Sequence, residues 1–369
     1  MTEKIITVSS PVLPPLEEYL PYLEDIWKRR WLTNNGHYHQ ELEKELSAYL
    51  NVPYISLFSN GTLGLIVALN ALGITGEVIT TPYSFVATAH ALWWNNLKPV
   101  FVDVDPVTLN LDPDKIEAAI TTHTTAILPV HVYGTMCDVA RIKSVADRHG
   151  LKVIYDAAHA FGVETNGTSI LRHGDLSILS FHATKTYSTV EGGAIVCHTE
   201  EMKKRIDYLK NFGLVDEVTV IAPGINAKLN ELQSAYGLLC LKHIDKAKLV
   251  RKKIAEYYRT HLETAVGVSC LREASDTKSN YSYFPIFIDK EKYGHSRDEL
   301  YARLKAHNIY GRRYFYPLIS DFPPYNSLPS ASHHNLPVAA AAADQVICLP
   351  MHGELTDDDG KRIIELIKW

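Results

Sequence analysis

No CxxC pair occurs in this chain, and its five cysteines (Cys137, Cys197, Cys240, Cys270 and Cys348) stand far apart. An odd, scattered set supports neither a disulfide framework nor a zinc site, so reduced thiols and a cytoplasmic location are expected, with no metal. Long apolar runs are also missing. The alanine run at 339–343 is too short to span a bilayer, and the opening MTEKIITVSSPVLPPL has no basic stretch followed by an apolar one. Neither a membrane segment nor a signal peptide is expected. Charge of one sign is not in excess: 37 basic and 42 acidic residues leave a net charge of −5. Without a basic stripe, nucleic-acid binding has no electrostatic support. The GxGxxG and GxxxxGK[ST] signatures are absent, which removes the usual marks of dinucleotide and P-loop sites.

What is present is an ordinary globular balance, 46% hydrophobic and 21% charged, over a length of 369 residues that suits two structural units. Leu16, Leu20, Leu23 and Trp27 recur at helical spacing after Pro14-Pro15, and Leu42, Leu46, Tyr49 and Leu50 mark a second amphipathic helix. The polar loop Trp31–Gly36 separates them. Beyond residue 54 the pattern alternates. Apolar strands are expected at 54–58, 78–80, 99–102, 126–130, 153–155 and 177–181, with helices at 62–72, 87–94, 113–120 and 138–149. Such alternation predicts an α/β fold with a large, mostly parallel sheet covered on both faces. Long helical material at 229–258 leads to a smaller C-terminal α/β unit, built on a strand at 283–288 and a helix at 297–307. The expected units are 1–245 and 246–369.

In open α/β sheets ligands collect beyond the carboxyl ends of the strands, and three unusual segments fall there. In Ser59-Asn60-Gly61-Thr62 a strand ends and a helix begins, so free amides and the Thr62 hydroxyl suit a phosphate; the same segment also reads as a turn with Thr62 as N-cap. Asp156, directly after an apolar strand, can hold a pyridine nitrogen protonated or can cap a loop amide. His159 follows on the same loop. In Ser180-Phe181-His182-Ala183-Thr184-Lys185, the lysine lies between apolar stretches. Enclosed, it becomes a nucleophilic amine suited to Schiff-base chemistry; exposed, it is an ordinary loop lysine. His182 reads as a base or as packing. Gly192-Gly193 marks a turn into the strand 194–197.

Taken together, SNGT (59–62), TPYSFVAT (81–88), FVDVDP (101–106), DAAHAFG (156–162), SFHATK (180–185), EGGAIV (191–196) and GINAKLNELQSA (224–235) appear in order. The chain resembles the DegT/DnrJ/StrS family of sugar-nucleotide aminotransferases of pyridoxal-phosphate (PLP) fold type I, from about Trp31 to the LPMHGELT stretch at 349–356. The resemblance implies that Lys185 carries PLP as a Schiff base and that Asp156 pairs with the pyridine nitrogen. It further implies that His159 sits by the ring oxygen, that Phe85 and Ala158 flank the ring, and that Gly61, Thr62 and Ser180 hold the phosphate. Asn226 is expected to reach the phosphate of the neighbouring subunit in a homodimer with composite sites. The implied reaction moves an amino group from glutamate to a nucleotide keto-sugar, the cofactor cycling through pyridoxamine phosphate. Lys185 stands where a dehydratase branch of the family has histidine, which favours amination.

Trp31–Gly36 and Arg313–Leu318 resemble the members that form 4-amino-4,6-dideoxyglucose, so C4 of dTDP-4-keto-6-deoxyglucose is the expected acceptor. Thr33, Asn34, Asn35 and Tyr316 are expected at the rim, where the sugar nucleotide is held; a loop turn and aromatic packing are the plainer readings. A 3-keto sugar or cyclitol aminotransferase, or a PLP-binding sensor without turnover, remain the competing functions.

Overall fold

Short apolar runs closed by turn residues form the central sheet of the protein. The computed structural model describes residues 4–273 and 275–368; the first three residues of the N-terminal stretch discussed above, and position 369 at the end of the second expected unit, lie outside the described residues. The sheet has seven strands: β1 (Tyr54–Phe58), β2 (Glu77–Thr80), β3 (Lys98–Phe101), β4 (Thr124–Leu128), β5 (Lys152–Asp156), β6 (Leu176–Ser180) and β7 (Gly193–Cys197). Their spatial order is β1-β7-β6-β5-β4-β2-β3. Only β7 runs against its neighbours, β1 and β6; the remaining pairs are parallel. The fold is thus the mixed, mostly parallel α/β sheet expected from the alternation.

Helices on both faces follow from the strand pleat. Ala194 and Val196 face one side with Leu57 and Leu179, against α2 (His37–Leu50) and the first half of a 32-residue helix, Glu231–Leu262. Ile195 and Cys197 face the other side with Phe58, Ile154 and Ile178. There they meet α3 (Gly61–Ala71), α4 (Ala87–Trp94) and helix Glu200–Leu209. Helix α1 (Leu16–Arg29) lies against the long helix, with Leu16, Leu20 and Trp27 left exposed. The segment expected to be helical at 113–120 is shorter. A single turn, Pro113–Ile116, tightens into a 3-10 turn at Glu117–Ala119, as a helix often does where its last turn must close quickly into the next strand.

The long helix, capped by Asn230 through Gln233 N–H, crosses position 245 without interruption. Its core partners change along its length. Leu238, Cys240 and Ile244 belong with the sheet, whereas Ala255, Tyr258 and Leu262 pack with the C-terminal elements. Those elements are an antiparallel three-stranded sheet, Val268–Cys270, Phe284–Ile288 and Val346–Leu349, with helices Arg297–Ala306 and Asp357–Ile367. Ile6 joins that same core, because strand Ile6–Thr7 pairs with Ile309–Tyr310.

Candidate active site

The carboxyl ends of β1, β5 and β6 share one edge of the sheet, and the amino end of the reversed β7 meets them there. A cavity of about 320 Å³ opens at this edge. Its lining includes Gly61, Thr62, Phe85, Asp156, Ala158, His159, Ser180 and Lys185.

One end of the cavity is a backbone cradle. Asn60, not Thr62, is the N-cap of α3: its Oδ1 accepts from Leu63 N–H at 2.9 Å and its carbonyl from Gly64 N–H at 3.3 Å. The amides of Gly61 and Thr62 remain as free helix-start donors, and the Thr62 hydroxyl is released from capping. Ser180 closes β6 beside them. The approach is tight. A Cβ on Gly61 would lie 3.2 Å from the Ser180 Cβ, and one on Gly193 would lie 2.6 Å from the Gly61 nitrogen. Free amides at a helix start with two hydroxyls nearby match a phosphate monoester.

Asp156 is buried at the end of β5. Oδ2 accepts from the Thr88 hydroxyl at 2.8 Å, Thr88 in turn lies 2.9 Å from Ser84 Oγ, and Oδ1 accepts from Ala158 N–H at 3.1 Å. Burial raises the pKa of Asp156 above the usual carboxylate range; Thr88, the Ala158 amide and the charge of Lys185 oppose that rise. A desolvated carboxylate of this kind is suited to a cationic partner such as a protonated ring nitrogen. Lys185 extends into the same cavity from the turn after β6, its backbone N–H bonded to the His182 carbonyl at 2.9 Å. Its Nζ lies 3.5 Å from the Tyr283 hydroxyl. Burial lowers the lysine pKa, against the charges of Asp156 and Tyr314. The result is an amine more easily freed of its proton than a surface lysine.

His159 is buried and neutral. Its pKa falls well below the ordinary value through burial and, secondarily, the charge of Lys185. Nδ1 accepts from Tyr133 N–H at 3.2 Å, so the ring proton resides on Nε2. The ring stacks on Phe315 at 5.8 Å and meets Tyr283 edge-on. His182 is half exposed at the cavity, with Nδ1 2.8 Å from Thr184 Oγ1 and Nε2 3.6 Å from Glu191.

The remaining expected residues lie outside the single-chain cavity. Asn226 is exposed on the loop before Ala227 and bridges to Asn211. Thr33, Asn34 and Asn35 are exposed, the two asparagines with positive φ in a turn. Tyr316 is turned toward Arg297 and Arg313, whose guanidinium carbons lie 4.4 and 5.1 Å from its ring. Conversely, the sequence reading gives no cavity role to Thr88, Tyr283 or Arg312, and takes Tyr314 and Phe315 only as part of the Arg313–Leu318 stretch that suggests the substrate. Thr88 closes the TPYSFVAT stretch, so a signal was available. The other four lie more than 90 residues beyond Lys185; the Arg313–Leu318 stretch draws attention to Tyr314 and Phe315, whereas nothing local marks the return of Tyr283 and Arg312 to the sheet edge.

Comparison with known proteins places this geometry. The model of the DegT/DnrJ/EryC1/StrS aminotransferase family matches residues 16–368. The chain belongs to that family. It is 54% identical to a dTDP-4-amino-4,6-dideoxy-D-glucose transaminase of Shigella dysenteriae over 99% of both chains. It is 52% identical to one of Escherichia coli over 100% of this chain and 99% of the other. Among solved structures, DesI in the presence of its TDP-sugar product superimposes with a TM-score of 0.95 at 35% identity, covering 99% of this chain and 93% of that one. The protein is therefore an aminotransferase with the fold of the PLP-dependent fold-type-I enzymes. No helix among the described residues is long and apolar enough to cross a membrane.

Proposed function

We propose that this aminotransferase moves the amino group of glutamate to C4 of dTDP-4-keto-6-deoxyglucose, giving dTDP-4-amino-4,6-dideoxyglucose for surface polysaccharide or glycoconjugate synthesis in the cytoplasm. The observation that carries it is the placement of Lys185 and Asp156 in one desolvated cavity, in a chain matching two transaminases of that name end to end. When bound, PLP supplies an amine-capturing carbonyl and an electron-withdrawing ring, and carries the amino group as pyridoxamine phosphate between two half-reactions.

The chain's own residues fit that group. The Gly61 and Thr62 amides, with the Thr62 and Ser180 hydroxyls, would hold the phosphate. Asp156 would hold the ring nitrogen in its protonated form. His159, a fixed Nε2–H donor, would meet the ring oxygen. Phe85 and Ala158 would lie against the two ring faces and exclude water. Lys185 would be the covalent anchor, and its low-pKa amine the base and acid that moves the proton at the reacting carbon.

Two units meeting within the long helix, near residue 245, would enclose the site from both sides. A homodimer completes this reading. Leu16, Leu20, Trp27, Trp31 and Leu32 are exposed on and after α1, and Phe212, Val215, Val218, Val220 and Ile221 on the loop leading to Asn226. Apolar surface of that extent is usually covered by a partner. Asn226 would then act on the neighbouring site, and Thr33, Asn34, Asn35 and Tyr316 would contact the sugar nucleotide at a rim that the assembly forms.

The decisive experiment incubates the PLP-loaded protein with glutamate and either the 4-keto or the 3-keto isomer of the dTDP-sugar, the product being resolved by NMR. An amine at C4 is expected. An amine only at C3, or turnover only with a cyclitol, would redirect the substrate assignment; binding of PLP without any transfer would favour the sensor reading.

A further inference from the structure

Arg312 lines the same cavity as Lys185. Its neighbour Arg313 is engaged by Asp298 at 2.9 Å and by the rings of Tyr301 and Tyr316. The Arg312 guanidinium, in contrast, pairs with no carboxylate among the described residues; its backbone alone is tied down, exchanging hydrogen bonds with Cys348. Its charge acts instead on the phenols of Tyr283 and Tyr314. Both phenols line the cavity with the reacting amine: Tyr283 OH lies 3.5 Å from Lys185 Nζ, and the Tyr314 ring meets the Tyr283 ring edge-on at 5.6 Å. An unpaired guanidinium on the wall of a catalytic cavity is a fork of donors awaiting an anion.

We propose that Arg312 binds the carboxylate of the amino donor. The inference rests on the transaminase reading above and adds to it the residue that recognises glutamate. The argument is one of reach. In an amino acid the α-carboxylate is attached to the very carbon that bears the amine, so once that amine is at Lys185 the carboxylate must be close by. Arg312 lines one cavity with Lys185, Tyr283 and Tyr314, so its guanidinium borders the space in which the donor's carboxylate must lie. The competing anion, the pyrophosphate of a sugar nucleotide, hangs from C1 and is separated from C4 by the sugar ring. It would lie farther from the amine, toward the rim. The phosphate of the cofactor has its own cradle at Gly61, Thr62 and Ser180. A donor carboxylate is thus the anion that the position of Arg312 fits.

The test uses the PLP-loaded protein, with Arg312→Gln and Arg312→Lys variants. A charge-assisted pair of this kind supports a loss of roughly 10- to 100-fold in glutamate affinity for Arg312→Gln, with Arg312→Lys between it and the parent. The half-reaction with glutamate should weaken accordingly. The reverse half-reaction, started with the amino-sugar nucleotide, should keep its KM within about twofold. A binding readout without turnover is the absorbance of the cofactor on titration with glutarate, a dicarboxylate that has no amine; the response should be saturable in the parent and shifted to higher concentration in the glutamine variant. A raised KM for the amino-sugar nucleotide with glutamate unaffected would overturn the proposal in favour of a pyrophosphate contact. Equal losses in both half-reactions, with the cofactor still bound, would also overturn it. If no sugar nucleotide is accepted but the glutamate half-reaction depends on Arg312 as stated, the substrate reading fails and the Arg312 assignment stands.

Discussion

The Thr88 hydroxyl donates to Oδ2 of Asp156 at 2.8 Å, inside a site where both side chains are almost wholly shielded from water. This bond is the largest of the influences that hold the Asp156 pKa down against burial. Without it the carboxyl should titrate higher still, and less of it should be ionised at neutral pH. Thr88→Val should therefore move the acid limb of the kcat/KM profile to higher pH and weaken PLP binding by about tenfold, the worth of a hydrogen bond to a charged group. Thr88→Ser, which keeps the hydroxyl, should restore both. A valine variant with the parental pH profile would mean that this bond does not tune the carboxylate.

Lys185 should be the attachment point of the cofactor. Its position in the cavity and its lowered pKa distinguish it from the protein's surface lysines. Borohydride reduction of the yellow holoprotein, followed by peptide mass analysis, should find the pyridoxyl group on Lys185. Lys185→Ala should lower turnover by at least 10²–10⁴-fold, the range expected for a lost proton-transfer group. A label on another lysine would reject the assignment.

Much of this site can be read in the chain because its parts sit at strand ends, where alternation of apolar runs and turn residues is easiest to see. Asp156 and Ser180 are the last residues of their strands, and Gly61 begins the helix that follows β1. What the pattern does not reveal is which distant side chains fold back onto that edge. Tyr283 and Arg312 arrive through the long helix and the C-terminal sheet, and such contacts depend on packing between elements far apart in the chain rather than on local period. The N-cap of α3 illustrates a smaller gap. Asn60 and Thr62 are both competent caps; the structure uses Asn60, and Gly61, the first helical residue, packs so close to β6 that a Cβ there would lie 3.2 Å from the Ser180 Cβ.

Gly193 should be intolerant of any side chain. The Cβ of an alanine there would come within 2.6 Å of Gly61 N and 2.7 Å of the Asn60 carbonyl carbon, both backbone atoms that cannot swing aside. Gly193→Ala should cost about 1–3 kcal/mol by overpacking, seen as a lower denaturant midpoint, and should loosen the phosphate end of the cavity. Gly353, around which a Cβ would meet nothing within 4 Å, serves as the control: its alanine variant should stay within about 0.5 kcal/mol of the parent. Equal stability of the two variants would show that β7 and the start of α3 can move apart without cost.

Asn226 provides the test of a composite site. It is exposed, lies outside the cavity of its own chain, and follows a loop whose apolar side chains Val218, Val220 and Ile221 face solvent. If it serves the neighbouring subunit, Asn226→Ala should lower turnover although no residue of its own cavity has changed. Complementation makes the point without relying on a static contact. In a heterodimer of Lys185→Ala and Asn226→Ala protomers, both lesions fall in one site, because the chain that lacks the lysine receives its asparagine from the chain that lacks the asparagine. The other site has an intact lysine and an intact asparagine. Mixing and reassembling the two impaired parents should therefore recover one fully working site per heterodimer. If Asn226 acted within its own subunit, each site would carry one lesion and mixing would recover nothing. Activity that never exceeds that of either parent, with heterodimer formation verified by mass, would remove Asn226 from the neighbouring site.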